Sequence, residues 1–325
     1  MTALLKAVDD YLGLRRRLGY KLKEPSTHLH DFVAFLERQG TSHITTDLAL
    51  RWAMKPARVQ PAHWAKRLRS VRLFAQHHSA SDPSTEIPPL GLLPHRPRRK
   101  LPHIYSLAEI RQLMAATRNL HSTTGLRPWT YSTLLGLLAV AGLRVNEALG
   151  LNQEDVDLSQ GILTIRKTKF NKTRLVPLHP STRDALRRYA RRRDRVHPRP
   201  KTPSFFVSEL ATRVEHSCVT RTFHKLSRWV GLRGPDDHHG PRLHDFRHAF
   251  AVETVLRWYR EGVDVDPRMP VLSTYLGHGH VSDTYWYLSS VPELLRLASA
   301  RLERPQGGNV NGGREPRNPD VRSTD

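Results

Sequence analysis

The sequence predicts a mainly α-helical protein with a small antiparallel β-sheet, arranged in two domains. Apolar residues recur at helical spacing through residues 1–80, which indicates an all-helical N-terminal domain. Helical patterns return after residue 103, and two β-prone runs, Ile162 to Ile165 and Leu175 to Leu178, interrupt them. The length agrees with this division, because 325 residues exceed the usual size of one domain.

Three amphipathic stretches define the N-terminal domain. Each places its apolar residues on one helical face, and Pro61 suits the first turn of the third stretch. The apolar positions are Leu4, Leu5, Val8, Tyr11 and Leu12 in the first stretch, Leu29, Phe32, Val33 and Leu36 in the second, and Trp64, Leu68, Val71 and Phe74 in the third.

Residues 81–103 break the helical pattern. They contain six prolines, Pro83, Pro88, Pro89, Pro94, Pro97 and Pro102, and the basic run Arg98, Arg99 and Lys100. Proline cannot continue a helix, so this basic segment is predicted to be a linker between the domains.

The second domain, residues 104–303, begins with a helix-capping signature formed by Ser106 and Glu109. Pro128 to Val140 is largely apolar and predicts a buried helix. The polar run Arg166 to Arg174 separates the two β-prone runs and predicts a hairpin tip.

Further elements are expected beyond the hairpin. Ser204 to Ser208 is β-prone and predicts another strand, and residues 304–325 are rich in Gly, Asn and Pro and predict a disordered tail. Helical patterns occur at Val219 to Val230, Phe246 to Trp258, Leu272 to Leu276 and Val291 to Leu302.

The charge of the chain is strongly positive. Fifty-two Lys and Arg residues oppose 30 Asp and Glu residues, which gives a formal net charge of +22. Such a chain attracts polyanions, and nucleic acid is favoured because neutralising its phosphates releases counterions. A membrane surface or an acidic protein is the alternative on charge alone.

Membrane insertion and disulfide bonding are not expected. The sequence has no apolar run long enough to span a bilayer, and Met1 to Lys6 lacks a signal-peptide pattern. The single cysteine, Cys218, fits a reducing compartment. A cytoplasmic, nucleoid-associated protein is therefore predicted.

Four segments of the second domain carry residues suited to phosphodiester transfer. Two guanidinium groups can bind the negative charge on the non-bridging oxygens, and histidine and lysine can move protons. A tyrosine hydroxyl can attack phosphorus and keep the energy of the broken bond in an ester. The segments are Gly142-Leu143-Arg144-Val145-Asn146-Glu147, Thr168-Lys169-Phe170-Asn171-Lys172, His244-Asp245-Phe246-Arg247-His248, and Leu276-Gly277-His278 with Thr284-Tyr285-Trp286-Tyr287.

In this order the four segments resemble the tyrosine recombinase family, which includes phage integrases and chromosome-dimer-resolving recombinases. The resemblance covers about Ile104 to Leu302. It implies an α+β catalytic domain there, preceded by a helical, SAM-like core-binding domain that binds DNA. The matching motifs are G-L-R-x-x-E at Gly142 to Glu147, K-x-R-x-V-P-L at Lys172 to Leu178, H-x-x-R-H at His244 to His248, and L-G-H at Leu276 to His278.

The resemblance implies a role for each matching residue. Tyr287 is the expected nucleophile, which forms a 3′-phosphotyrosine, and Lys169 is the expected acid for the departing 5′ hydroxyl. Helix spacing separately indicates that Glu147, one turn after Arg144, can pair with an arginine or histidine of the site and orient it, and that His248, next to Arg247 in the sequence, points away from it and is structural. The expected catalytic set is Arg144, Lys169, His244, Arg247, His278 and Tyr287. No cofactor and no metal are expected, because the arginines supply the positive charge.

Two assignments have neighbouring alternatives. Glycines that commonly flank the hairpin lysine are absent, so Lys167 and Lys172 compete with Lys169. Tyr285 lies two residues before Tyr287, and the spacing from the L-G-H motif selects Tyr287. A metal site among Asp236, Asp237, His238, His239 and His244 is disfavoured, because these residues lack dependable ligand spacing.

The predicted activity is cutting and rejoining double-stranded DNA at specific sites. The apolar pattern of Val291 to Leu302 predicts a C-terminal helix, through which the resemblance implies a homo-tetramer on two DNA sites. Accessory proteins or a second recombinase are further possible partners. The alternatives are a monomeric type IB topoisomerase-like enzyme and an inactive DNA-binding protein with the same fold.

Overall fold

A computed structural model describes most of the chain, which forms two compact units, Met1–Lys100 and Leu101–Asp325. The described residues are 2–94, 101–166, 173–235, 237, 240–278, 280–282, 284–285, 293–294, 296 and 299.

Residues 2–94, the described part of the first unit, form four helices around one apolar core. The predicted stretches are confirmed as α1, α2 and α4, and Pro61 is the first residue of α4. The core uses the predicted periodic positions, including Val8, Phe32 and Phe74, to which α3 adds Trp52. The helices are α1 (Ala3–Arg17), α2 (Lys23–Arg38), α3 (Thr46–Met54) and α4 (Pro61–His78).

Residues 81–94 of the predicted linker pack against this first unit. The Glu86 backbone N–H donates to the Ile44 carbonyl at 2.9 Å, and the Arg72 guanidinium donates to the Pro88 carbonyl at 3.0 Å. Leu93 contacts the same core. Residues 95–100 lie outside the described residues, and the predicted domain limits stay a prediction.

The second unit combines seven helices with a small sheet in the part of it that the structure describes. The capping signature is confirmed, because Ser106 and Glu109 exchange hydrogen bonds at the start of α5. Leu134 and Leu138 of α6 are fully buried, as the apolar run predicts. The helices are α5 (Leu107–Ala116), α6 (Arg127–Ala141), α7 (Val145–Gly150), α8 (Pro180–Val196), α9 (His216–Trp229), α10 (Asp245–Arg260) and α11 (Met269–Leu276).

The sheet has three antiparallel strands in the order β1-β2-β3. They are β1 (Val156–Asp157), β2 (Ile162–Ile165) and β3 (Arg174–Pro177). The predicted hairpin is confirmed: Ile165 pairs with Arg174, so its tip lies between them. The strand predicted at Ser204 to Ser208 is wrong, because Ser204 and Val207 form only isolated bridges, with Asn152 and Arg213. Its three central residues are instead buried in the core as an irregular segment.

Several predictions fall outside the described residues. They include the hairpin tip, residues 167–172, the predicted tail, residues 304–325, and most of Val291 to Leu302. Within the described part of the chain, no helix combines the length and the apolar character needed to cross a membrane.

Candidate active site

Arg144 stands at the junction between α6 and α7. Gly142 ends α6 in the left-handed conformation, with φ of 57°, and Arg144 is the N-cap residue of α7. A Cβ atom at Gly142 would lie 2.5 Å from the Phe250 ring, so both the conformation and the space require glycine. The G-L-R order of the sequence thus turns the chain sharply and presents the arginine at the start of a new helix.

The Arg144 guanidinium bridges two parts of the second unit. Its Nη1 donates to Glu147 Oε1 at 2.8 Å, and its Nη2 donates to the Gly277 carbonyl at 2.9 Å. The side chain keeps 29% of its surface exposed, so a charged face remains available to solvent or to a ligand. Pairing of Glu147 with an arginine of the site was predicted, and it is present.

Glu147 accepts hydrogen bonds from two arginines. Arg174 donates from Nη1 at 3.1 Å and from Nη2 at 2.7 Å, and the Arg144 backbone N–H donates at 3.0 Å. Burial raises the pKa of Glu147, but the hydrogen bonds and charge of Arg174, together with the hydrogen bonds from Arg144, outweigh burial and lower the pKa to about 2. The carboxylate is therefore ionised at any ordinary pH.

Arg247 is fully buried in the first turn of α10. Its Nη1 donates to the Gly142 carbonyl at 2.9 Å, and its Nη2 donates to the Leu276 carbonyl. These carbonyls end α6 and α11, so Arg247 ties together the segments that carry Arg144 and His278.

Two histidines flank Arg247 in the sequence and have different surroundings. His244 is the N-cap residue of α10 and keeps an exposed face, whereas His248 is buried. Their rings meet edge to face, with centroids 4.9 Å apart. This agrees with the prediction of a packing role for His248.

The pKa of each of these histidines is depressed. The protein packed around His244 lowers its pKa, and the charge of Arg247 lowers it further, against the opposing effect of Asp245. Burial, and next the neighbouring His244, lower the pKa of His248 to about 3. Both rings are neutral at neutral pH, so His244 can accept a proton.

His278 follows the left-handed Gly277 that ends α11, where φ is 69°. Its backbone N–H donates to the Ser273 carbonyl at 3.0 Å, and its Nδ1 lies 2.7 Å from the hydroxyl of the buried Thr284. The hydroxyl orients the ring, a role that sequence reasoning missed. Arg174 was missed too, although it lies inside the K-x-R motif.

Two predicted residues cannot be placed in this geometry. Lys169, with its competitors Lys167 and Lys172, and Tyr287 lie outside the described residues. Tyr285 is described and is 47% exposed. The described residues contain no group of three or more His, Cys, Asp or Glu side chains that could hold a metal ion.

Comparison with known proteins assigns the chain to a family. The profile of the Phage integrase family matches residues 106–293, more than half of the chain. A candidate integrase/recombinase of Sinorhizobium fredii, y4rB, is 51% identical over 308 residues, which span 94% of this chain and 98% of that protein. The chain therefore belongs to the phage integrase family, the tyrosine recombinases, which are enzymes that cleave and transfer DNA strands.

More distant relatives agree. The tyrosine recombinase XerC of Chlamydia caviae is 26% identical over 313 residues, or 88% of this chain and 94% of that protein. Among solved structures, the Tn1549 transposon integrase in complex with transposon right end DNA has a TM-score of 0.63 at 16% identity and covers 92% of this chain and 99% of its own. The XerH site-specific recombinase bound to palindromic difH substrate has a TM-score of 0.62 at 18% identity, and the match covers 86% of this chain and 78% of the XerH chain. These two structures share the fold.

Proposed function

We propose that this chain is a site-specific DNA recombinase in which Tyr287 attacks the scissile phosphate of double-stranded DNA and forms a 3′-phosphotyrosine. A 5′ hydroxyl from the partner duplex then reverses the reaction. The observation that carries the proposal is the convergence of Arg144, Arg247 and His278, which lie in three separate segments joined by hydrogen bonds.

The contacts and pKa of each described residue support a particular catalytic role for it. Arg144 and Arg247 hold the non-bridging oxygens, and each preorganised donor of this kind contributes about 3–4 kcal/mol to transition-state binding. The neutral ring of His244 takes up the tyrosine proton, which its lowered pKa permits. His278, oriented by Thr284, donates a hydrogen bond to the phosphate.

The remaining roles follow the sequence motifs. Lys169 protonates the departing 5′ oxygen, and Glu147 keeps Arg144 in place. Residues 1–80 form the core-binding domain, residues 104–303 form the catalytic domain, and the two bind DNA with help from the net charge of +22. We further propose a homo-tetramer on two sites, coupled by the C-terminal helix, and action at the nucleoid.

Trapping on nicked DNA tests this function. Target duplexes are first selected from a random library by their binding to the protein. They are then made with a nick close to the scissile phosphate, so that cleavage releases a short strand that carries the 5′ hydroxyl. Because this hydroxyl diffuses away, the cleavage cannot be reversed. We expect a covalent protein–DNA adduct, seen in a denaturing gel, that disappears in Tyr287→Phe and persists in Tyr285→Phe.

The other outcomes separate the alternatives. Specific binding without any adduct in the unaltered protein would indicate an inactive DNA-binding protein. Relaxation of supercoiled DNA by monomers would indicate a type IB topoisomerase-like enzyme. An adduct that survives Tyr287→Phe would contradict the assignment of the nucleophile.

A further inference from the structure

Arg174 connects the hairpin to the candidate active site. It is the first residue of β3 and pairs with Ile165 of β2, and in the sequence it lies two residues after Lys172, the last of the candidate lysines. Its side chain is only 12% exposed, unlike that of a phosphate-binding surface arginine. The guanidinium therefore points into the protein, and its partners define its function.

The Arg174 side chain is held by two other elements of the second unit. Nη1 and Nη2 form a two-pronged ion pair with the Glu147 carboxylate of α7, and Nε donates to the Tyr275 carbonyl of α11 at 2.8 Å. A Cβ atom at Gly277 would lie 3.0 Å from Nη1, so glycine makes room for the guanidinium. One side chain thus joins β3, α7 and the turn before His278.

The charges of this cluster explain why one carboxylate has two arginine partners. A Glu147–Arg144 pair alone would have no net charge and would bind poorly both the phosphodiester anion and the greater negative charge of the transition state. The second guanidinium gives the three groups a net charge of +1, while Glu147 still fixes the position of Arg144.

We propose that Arg174 is a positioning residue for strand cleavage, which acts through Glu147 to hold Arg144 and to leave that arginine its positive charge for the phosphate. The role rests on the proposed function and requires no contact between Arg174 and DNA. It predicts a loss in the rate of cleavage rather than in DNA affinity.

Arg166 provides a matched control on the same hairpin. It follows the last residue of β2, on the other side of the tip, and its side chain is 54% exposed and paired with Asp155. Arg166→Gln and Arg174→Gln remove the same charge from equivalent ends of the hairpin. Only Arg174→Gln breaks the contact with Glu147.

The experiment measures the first-order rate of adduct formation at saturating nicked DNA, the Kd for that DNA, and the Tm of each variant. For Arg174→Gln we expect a rate about 100-fold lower, since a displacement of about 1 Å has such an effect, with a Kd within about three-fold of the unaltered protein. Arg174→Lys should recover part of the rate, because lysine restores the charge but not the forked geometry. Arg166→Gln should keep the rate within about three-fold.

A double variant distinguishes this role from general support of the fold. If Arg174 acts through Glu147, the rate of Arg174→Gln/Glu147→Gln should be no lower than that of the slower single variant. The role would be overturned if the rate loss of the double variant equalled the product of the losses of the two single variants. An unchanged rate in Arg174→Gln, or a weaker DNA affinity with an unchanged rate, would overturn it as well. An unaltered protein that forms no Tyr287-dependent adduct would refute the proposed function itself, whereas normal cleavage by both Arg174→Gln and the unaltered protein would refute only this role.

Discussion

The two arginines assigned to the scissile phosphate are held in opposite ways. Arg144 is partly exposed and fixed by an ion pair with Glu147, whereas Arg247 is fully buried and donates to the backbone carbonyls of Gly142 and Leu276. Loss of an ion pair near the surface changes the free energy of unfolding little, because water can solvate the remaining charge. Loss of the donor to a buried backbone carbonyl destabilises the fold, because the carbonyl is then left without a hydrogen bond. Arg144 is therefore mainly a functional residue, and Arg247 serves both the fold and the function.

The two arginines are also linked through the turn at the end of α11. Arg247 donates to Gly142, two residues before Arg144, and Arg144 donates to Gly277, next to the Leu276 carbonyl that Arg247 binds. Displacement of either guanidinium consequently disturbs this turn. Such shared hydrogen bonding suits a site that must hold several donors at fixed distances from one phosphate.

The largest effect is expected for Arg247→Gln. Glutamine cannot reach both carbonyls, and each buried carbonyl left without its donor costs about 1–3 kcal/mol, so we expect the free energy of unfolding to fall by about 2–5 kcal/mol. Adduct formation should also fall by at least about 10³-fold, because a phosphate ligand is lost. Urea unfolding and the nicked-DNA assay measure the two effects.

Arg193 is a suitable control for that variant. It is 3% exposed and donates to the Phe205 carbonyl at 3.0 Å, with Gln153 as a further partner. Arg193→Gln should lower stability in a similar way but leave the rate per folded molecule unchanged. Equal rate losses in both variants would mean that Arg247 acts on cleavage only through the fold.

The next largest effect is expected for Arg144→Gln, which should reduce the rate of adduct formation by about 10²–10³-fold. The free energy of unfolding should change by less than about 1 kcal/mol, because Glu147 keeps its ion pair with Arg174.

Arg187 closely matches Arg144. It pairs with Asp184 three residues away at 2.7 Å, donates to the Leu158 carbonyl at 2.9 Å, and is 35% exposed. Arg187→Gln should leave the rate unchanged. A stability loss in Arg144→Gln as large as that in Arg247→Gln would remove the distinction between the two arginines.

Much of this arrangement could be predicted from the sequence, because its signals are local. Helical periodicity identified α1, α2 and α4, and the Ser106–Glu109 spacing identified the start of α5. Gly142 and Gly277 each mark a helix end, and both adopt the left-handed conformation that such positions favour. The spacing of Arg144 and Glu147 by three residues indicated their pairing, which a helix turn brings about.

The other contacts could not be predicted, because they join distant parts of the chain. The ion pair between Arg174 and Glu147 spans 27 residues, and nothing in the sequence indicates which carboxylate a strand arginine will reach. The segment Ser204 to Ser208 shows the same limit: its residues suit a strand, but the available edges give it only isolated bridges. Helix α8 was missed because most of its residues are polar or basic and only three are buried, which gives too weak an apolar pattern. The three buried residues are Leu186, Tyr189 and Arg193.

The smallest difference is expected between alanine variants of Gly142 and Gly277, which compare the same two regions. An alanine in the left-handed conformation costs about 1–2 kcal/mol. At Gly142 the new Cβ would also lie 2.5 Å from the partly buried Phe250 ring, whereas at Gly277 it would meet the end of the Arg174 side chain at 3.0 Å. Gly142→Ala should therefore lower the free energy of unfolding by about 1 kcal/mol more than Gly277→Ala, since an overpacked core relaxes at a cost of about 1–3 kcal/mol.

The rates of adduct formation should follow a different order. Gly277→Ala displaces Arg174 and the carbonyl that Arg144 binds. Its rate of adduct formation should therefore fall more than that of Gly142→Ala, although its loss of unfolding free energy is smaller. Urea unfolding and the nicked-DNA assay on both variants provide the comparison, with Gly161→Ala as a control: Gly161 also has a positive φ, of 70°, but its nearest neighbours are 3.5 Å away and outside the site. If Gly277→Ala lost no more activity than Gly161→Ala, the turn before His278 would not position Arg144, and the hydrogen bonds to this turn would serve the fold alone.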